Sequence, residues 1–228
     1  MAARPIAIGD IHGCLDALAA LIDAIEPQQK DTIITLGDHI DRGPNSKGVI
    51  DRLIALGKRC KLVALMGDHE EMMLDAINDL TKLRRWLNCG GVETLRSYGW
   101  RPGSPKRALK GWIPDDHQKF LNDCRPFYEI SRHLFVHAGY LPELPIDKQP
   151  MQALWWRVTD AATAKPHSSG KIAIVGHTAQ LSGEVLDLGF LICIDTNCVR
   201  GGWLTALDVE SRQIWEADRK GHLKRRSN

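Results

Sequence analysis

Several short apolar runs in this 228-residue chain stop at residues able to hold a cation. The first runs into Gly9-Asp10-Ile11-His12-Gly13, the second into Gly37-Asp38-His39-Ile40-Asp41-Arg42-Gly43, and the third into Gly67-Asp68-His69-Glu70. Two later runs end at His137-Ala138-Gly139 and Gly176-His177-Thr178. Asp and His together supply the mixed oxygen and nitrogen ligands that manganese, iron and zinc accept. No cysteine lies in these motifs, which argues against a structural zinc site. Asp10 and His12 are two apart on an extended segment, so both can face one ion. Asp38, central among the strand ends, can bridge two ions through its two oxygens, and His137 and His177 can complete the second. Two metals about 3.5–4 Å apart suit in-line displacement at phosphorus, with a metal-bound hydroxide as nucleophile. Arg42 and Arg157 are the candidates for gripping phosphate oxygens, because guanidinium stays charged and binds them in pairs. One Gly-Asp after a strand is mostly a turn, and one His there is mostly capped or solvated. Five such clusters, each closing an apolar strand, carry the argument jointly.

These residues need strands to deliver them. Ile6-Ala7-Ile8, Thr32–Leu36 and Leu62–Met66 read as buried strands. Between them, Leu15, Leu18, Ile22 and Ile25, then Val49, Ile50, Leu53 and Ile54, recur at helical spacing, and a third helix starts near Glu70. That alternation predicts parallel strands joined by right-handed crossovers. Later, residues 133–136, 171–175, 190–194, 204–207 and 213–215 read as strands with turns between them. Two mixed sheets packed face to face, with helices outside, accommodate both halves. In such α/β sheets ligands bind beyond the carboxyl ends of the strands, so the five ends are expected to share one crevice. The expected organisation is a single domain over residues 1–228, with a helical cap inserted at about 78–128.

Composition is that of an ordinary globular chain, 43% hydrophobic and 25% charged, which excludes disordered and low-complexity classes. No apolar run approaches the length of a membrane span. Six cysteines without a CxxC pair, and no secretory cleavage pattern, lead to the expectation of reduced thiols in a cytoplasmic protein. The net charge is only +2, but eight basic residues between Thr81 and Trp112 face the single acid Glu93, so that segment carries +7. A second basic cluster, Arg219, Lys220, Lys224, Arg225 and Arg226, closes the chain. A one-signed rim near the chemistry would concentrate anionic substrates; away from it, the same charges form a solvated face. No nucleic-acid motif accompanies the basic tail, so nucleic acid is not an expected partner.

The series GDIHG, GDHIDRG, GDHE, VHAG and GHT resembles the phosphoprotein phosphatase branch of the calcineurin-like metallophosphoesterases. Trp86–Gly91 with Thr94–Gly99, Leu154–Arg157, and Ile194–Cys198 leading to Gly201–Thr205, resemble its compact bacterial serine/threonine-phosphatase-like members. The resemblance implies a four-layer α/β/β/α sandwich with a dinuclear centre of divalent ions, manganese first, with iron or zinc as alternatives. Carried over by motif, Asp10 and His12 hold one ion, Asp38 bridges, and Asp68, His137 and His177 hold the other. His69 becomes the general acid, Asp41 orients it, and Arg42 and Arg157 bind phosphate.

Three positions depart from the pattern. The family has Asn where this chain has Asp68, so a third carboxylate joins the centre and a donor is lost. His39 stands where an aromatic or aliphatic residue is usual and is expected to face solvent; Asn197 stands in place of Gly. The leading expectation is a metal-dependent phosphomonoesterase, attenuated by Asp68, acting on phosphoproteins or small phosphoesters. A dinucleoside polyphosphate hydrolase is the first alternative, since the +7 segment suits a polyphosphate chain. A non-catalytic phospho-ligand binder is the second.

Overall fold

A computed structural model describes residues 3–104 and 109–225. Lys106, Arg107 and Arg226, counted in the two basic clusters, lie outside them. The first half runs β1 (Pro5–Ile8), α1 (Leu15–Ile25), β2 (Thr32–Thr35), α2 (Ser46–Gly57), β3 (Lys61–Ala64) and α3 (Asp68–Asn78). Short helices α4 (Leu83–Trp86), α5 (Val92–Ser97) and α6 (Asp115–Asn122) follow. The second half contains β4 (Phe127–Glu129), β5 (His133–Val136), α7 (Met151–Trp156), β6 (Ile172–Val175), β7 (Leu186–Asp187), β8 (Leu191–Cys193), β9 (Asp195–Thr196), β10 (Trp203–Asp208) and β11 (Ile214–Ala217).

The strands form two mixed sheets. One has the order β11-β10-β1-β2-β3, with β9 also paired to β10; the other has the order β4-β5-β6-β8-β7. β1, β2 and β3 are parallel, as are β5, β6 and β8, so each set ends on one edge of its sheet. Alternation along the strands assigns the layers. Ile6, Ile8 and Ile33 face α1 and α2, together with Leu18, Leu21 and Leu53. Their neighbours Ala7 and Ile34 point the other way and meet Phe135, Ile174 and Ile192 between the sheets. Leu134, Val136, Ala173 and Val175 turn outward again onto Leu154 of α7. The result is the expected α/β/β/α sandwich. Each fully buried Ile or Phe contributes about 1.5–3 kcal/mol by leaving water.

Helix α1 buries Ala17, Leu18, Leu21, Ile22 and Ile25 on one stripe and stops at Glu26 in the left-handed region. Asn45 caps α2, its side chain accepting from the Gly48 amide at 2.9 Å. Helices α4 to α6 supply a further apolar cluster around Trp86, Leu95 and Leu121, packed on Ile40, Ile50 and Met73. Strands β4, β7 and β9 escaped the sequence reading because each has only two or three residues, one of them acidic, so no apolar run marks them as it marks β8. Among the described residues no helix is long and apolar enough to cross a membrane. All six cysteines are free, and all but the half-buried Cys89 are buried.

Candidate metal centre

Every expected ligand lies just past a strand end. Asp10 and His12 follow β1, Asp38 follows β2, Asp68 follows β3, His137 follows β5 and His177 follows β6. Turning the chain there takes unusual backbone. His12, Asp38, Asp41, Arg42 and His177 all have φ between 45° and 71°, a region non-glycine residues rarely adopt. Each such residue costs about 1–3 kcal/mol, and clustering of that cost marks functional sites. Gly37, at φ 101°, shows why the family of turns is tight: a Cβ there would lie 2.7 Å from His137 Nδ1.

Two groups of ligand-type atoms result, each with members within 4.8 Å of one another: Asp38, Asp68, His137 and His177, and His12, Asp38 and His69. Asp38 belongs to both. In the first, Asp68 Oδ1 lies 3.1 Å from His137 Nε2 and 3.0 Å from His177 Nδ1. In the second, His12 Nε2 lies 3.3 Å from Asp38 Oδ2. The backbone fixes which ring nitrogen faces inward. His137 Nδ1 donates to the Leu36 carbonyl at 2.7 Å and His12 Nδ1 to the Ile40 carbonyl at 2.9 Å, so both rings turn Nε2 toward the centre. Asp10 stands outside both groups; its carboxylate accepts from the His177 amide at 2.9 Å.

The electrostatics fit a pair of cations. Burial, reinforced by repulsion from Asp195 and Asp38, pushes the Asp10 carboxyl well above its ordinary range. Burial and the neighbours Asp68 and Glu70 do the same to Asp38. His12 is held low by burial and by His69 and Arg42, hence neutral, the form that ligates. Burial would lower His137 too, but its hydrogen bond to Asp68 and the charge of Asp10 raise it to about 9. Burial opposes ionisation of Asp68, yet the hydrogen bonds from His137 and His177 hold it far down. Massed carboxylates with inward-facing imidazole nitrogens are the setting that divalent ions bind and neutralise.

Around this centre, His69 Nδ1 is 2.7 Å from Asp41 Oδ2, and its buried Nε2 has no hydrogen-bond partner. That atom lies 4.0 Å from both Asp38 Oδ2 and Asp68 Oδ2. Asp41 is itself fixed by Trp86 Nε1 at 2.9 Å and Thr94 Oγ1 at 2.6 Å, so α4 and α5 position the His69 partner. Arg42 Nη1 donates to His12 Nε2 at 2.7 Å, at the edge of the centre. Arg157 is exposed and packs beside Gly139, two residues after His137.

Two residues escaped the sequence reading. Glu70 accepts from the amides of Asp38 at 2.8 Å, His39 at 2.9 Å and Gly67 at 3.0 Å, clamping the second loop to the third. Burial opposes its charge, but His39 holds its carboxyl down at about 2. Asp195 opens β9, two residues past the end of β8, is buried, and repels Asp10. The expectation for His39 is corrected: it is fully buried, its Nε2 2.7 Å from Thr35 Oγ1 and its Nδ1 3.3 Å from Glu70. Asn197 adopts φ 64° and ψ 42°, the left-handed region where Asn most readily replaces Gly.

A sandwich of this kind with Asp and His gathered at its strand ends is the architecture of metallophosphoesterases. The calcineurin-like phosphoesterase family model matches residues 3–194, and the chain belongs to that family. Its members bind divalent metals. A symmetrical bis(5'-nucleosyl)-tetraphosphatase of Burkholderia pseudomallei (strain 668) is 31% identical over 141 residues, covering 61% of this chain and 43% of that protein. The protein of the same name from Paracidovorax citrulli is 35% identical over 142 residues, covering 61% and 45%. The match thus spans less than half the length of these curated relatives. A solved structure described provisionally as a diadenosine tetraphosphatase superposes with TM-score 0.71 at 23% identity, covering 95% of this chain and 94% of the other. A cold-active protein-tyrosine phosphatase of a psychrophilic Shewanella gives 0.63 at 17% identity, covering 98% and 80%. A Saccharomyces cerevisiae serine/threonine phosphatase gives 0.62 at 15%, covering 91% and 73%. At these identities the structures speak for the fold alone.

Proposed function

We propose that this chain is a metal-dependent hydrolase that cleaves dinucleoside polyphosphates. The observation that carries the chemistry is Asp38, shared by two ligand groups, with the unpartnered His69 Nε2 facing both. The choice of substrate is supported by the tetraphosphatase relatives at 31–35% identity. The phosphoprotein expectation gives way to this alternative, because the only phosphoprotein-type neighbours reported above are likenesses of fold.

In this reading Asp10, His12 and Asp38 hold one divalent ion, and Asp38, Asp68, His137 and His177 the other, with manganese the proposed metal. When bound, such a pair supplies positive charge to the phosphoryl oxygens and acidity to a water molecule. Arg42 and Arg157 bind and orient the phosphates through charge-assisted hydrogen bonds. Water adds to phosphorus and releases a proton to solvent, the P–O bond to the departing arm breaks, and the departing oxygen takes a proton from His69 Nε2, which solvent then restores. Asp41, bonded to His69 Nδ1, keeps that ring oriented. Symmetrical cleavage of a dinucleoside tetraphosphate then yields two nucleoside diphosphates.

The test is a comparison of diadenosine tetraphosphate, p-nitrophenyl phosphate and a phosphoserine peptide, each with added manganese. The expected result is a kcat/KM for the tetraphosphate roughly 100-fold above the others, because binding energy from the remote arms is available only there. The sole nucleotide product should be ADP. Equal or faster turnover of the peptide would overturn the substrate assignment, and activity that survives chelation would overturn the mechanism.

A further inference from the structure

Beside the centre lies an open cleft of about 500 Å³, lined by Arg42, Asn88, Gly90, Glu93, Val199 and Arg200 among others. That volume is in the range of about 300–1,000 Å³ that small-molecule sites occupy. Arg42 marks its inner end, since the same guanidinium contacts His12 of the centre. Arg200 and Asn88 are both exposed, and neither side chain has a hydrogen bond or ion pair among the described residues. Glu93, the acid of the lining, is offset by Arg96 at 3.5 Å, so the cleft presents uncompensated positive charge.

Both walls are held by backbone. Arg200 closes a 3-10 turn, Cys198–Arg200, flanked by Asn197 and Gly201 in the left-handed region. Arg200 and Gly202 both donate to the Asn197 carbonyl, at 3.2 and 2.9 Å. Opposite, the Gly90 carbonyl accepts from the Arg42 amide at 3.2 Å, which fixes the turn bearing Asn88 to the loop bearing Arg42. The fixed turn sets where the Arg200 stem leaves the backbone, and the guanidinium fork matches phosphate oxygens in pairs.

We propose that this cleft is the subsite for one nucleoside polyphosphate arm, and that Arg200 recognises a phosphate beyond the scissile one. The inference rests on the dinucleoside polyphosphate reading and adds a specificity-determining residue to it. A monoester carries no second phosphate for Arg200 to hold, so Arg200 separates the two substrate classes.

The experiment compares wild type, Arg200→Lys and Arg200→Ala by steady-state kinetics on diadenosine tetraphosphate and p-nitrophenyl phosphate with manganese. Alongside it runs calorimetric titration of a methylene-bridged, non-hydrolysable diadenosine tetraphosphate analogue. Loss of one charge-assisted hydrogen bond should raise the KM of Arg200→Ala for the tetraphosphate about 10- to 100-fold more than for the monoester. The analogue should weaken by the same factor, and Arg200→Lys should recover part of it. Equal effects on both substrates, or unchanged analogue binding, would overturn the subsite. If wild type leaves the tetraphosphate uncut, the proposed function fails instead, and the titration still decides the subsite because it needs binding alone.

Discussion

Replacing Asp68 by Asn should speed this enzyme. Asp68 Oδ2 lies 4.0 Å from His69 Nε2, the atom proposed to meet the leaving oxygen. An oxygen about 3 Å from that nitrogen, at hydrogen-bonding distance and clear of contact with Asp68, sits about 4–7 Å from the carboxylate. Negative charge gathers on it as the P–O bond breaks, and a carboxylate at that range repels it by about 2–4 kcal/mol at an effective dielectric near 20. Without offsets that is about 30- to 1,000-fold in rate. A carboxylate also holds a cation more firmly than an amide does, which returns part of the loss. The expected gain in Asp68→Asn is thus about 10- to 1,000-fold in kcat at saturating manganese, with weaker metal affinity. Initial rates of product release, with metal content measured on the same samples, make the comparison. An Asn variant that is equal or slower at equal metal content would refute the electrostatic argument and make Asp68 a fitted part of the chemistry.

His69→Ala should lower kcat by about 10²- to 10⁴-fold, the range for a lost general acid, while metal stoichiometry stays at the wild-type value. A lost ion would instead make His69 a ligand, as its place beside His12 and Asp38 allows. Gly90→Ala places a Cβ 2.6 Å from the Arg42 amide at φ 115°, so it should raise KM for phosphate substrates and cost about 1–3 kcal/mol in denaturant unfolding. Asp31 anchors β1 to β2 by accepting from the Arg4 amide at 3.0 Å and its guanidinium at 2.6 Å. Burial opposes its ionisation, but the bonds from Arg4 and Gln28 outweigh it and hold the carboxyl below its ordinary value. The stability it provides is therefore complete above the ordinary carboxylate range and lost as pH falls through the lower, folded-state value. Asp31→Asn should cost about 1.5–3 kcal/mol at pH 7 and flatten the acid limb of a melting-temperature profile.

The candidate ligands after β1, β2, β5 and β6 were legible because those strands are buried on both faces and read as apolar runs that end abruptly; β3, with Lys61 exposed, was legible only from the apolar run Leu62–Met66. Asp195 carries the same signal, an acid straight after Phe190–Ile194, but without a glycine before it the pattern is weaker. Glu70 could not be found locally: it acts by accepting amides of residues 31 and 32 positions away. His39 was misjudged for a related reason. A histidine in a loop looks solvated until the loop folds under a buried carboxylate. The roles of Trp86 and Thr94 in fixing Asp41 span 45 and 53 residues, and no spacing rule reaches that far.

The centre draws on both sheets, and Asp10 meets His177 across 167 residues of chain. A pair of ions seated there acts as a staple between two sheets that otherwise meet through side chains such as Phe135 and Ile34 and a few backbone bonds such as the Met66 amide to the Arg125 carbonyl at 2.8 Å. For a covalent link closing a loop of that length, the chain-entropy relation gives about 5 kcal/mol of stabilisation. Coordination that closes the same loop draws on the same entropy, so cation binding and assembly of the sandwich become one cooperative event. A cell that starves this chain of metal would lose more than turnover: the population of intact molecules would itself fall, and proteolysis would thin it further.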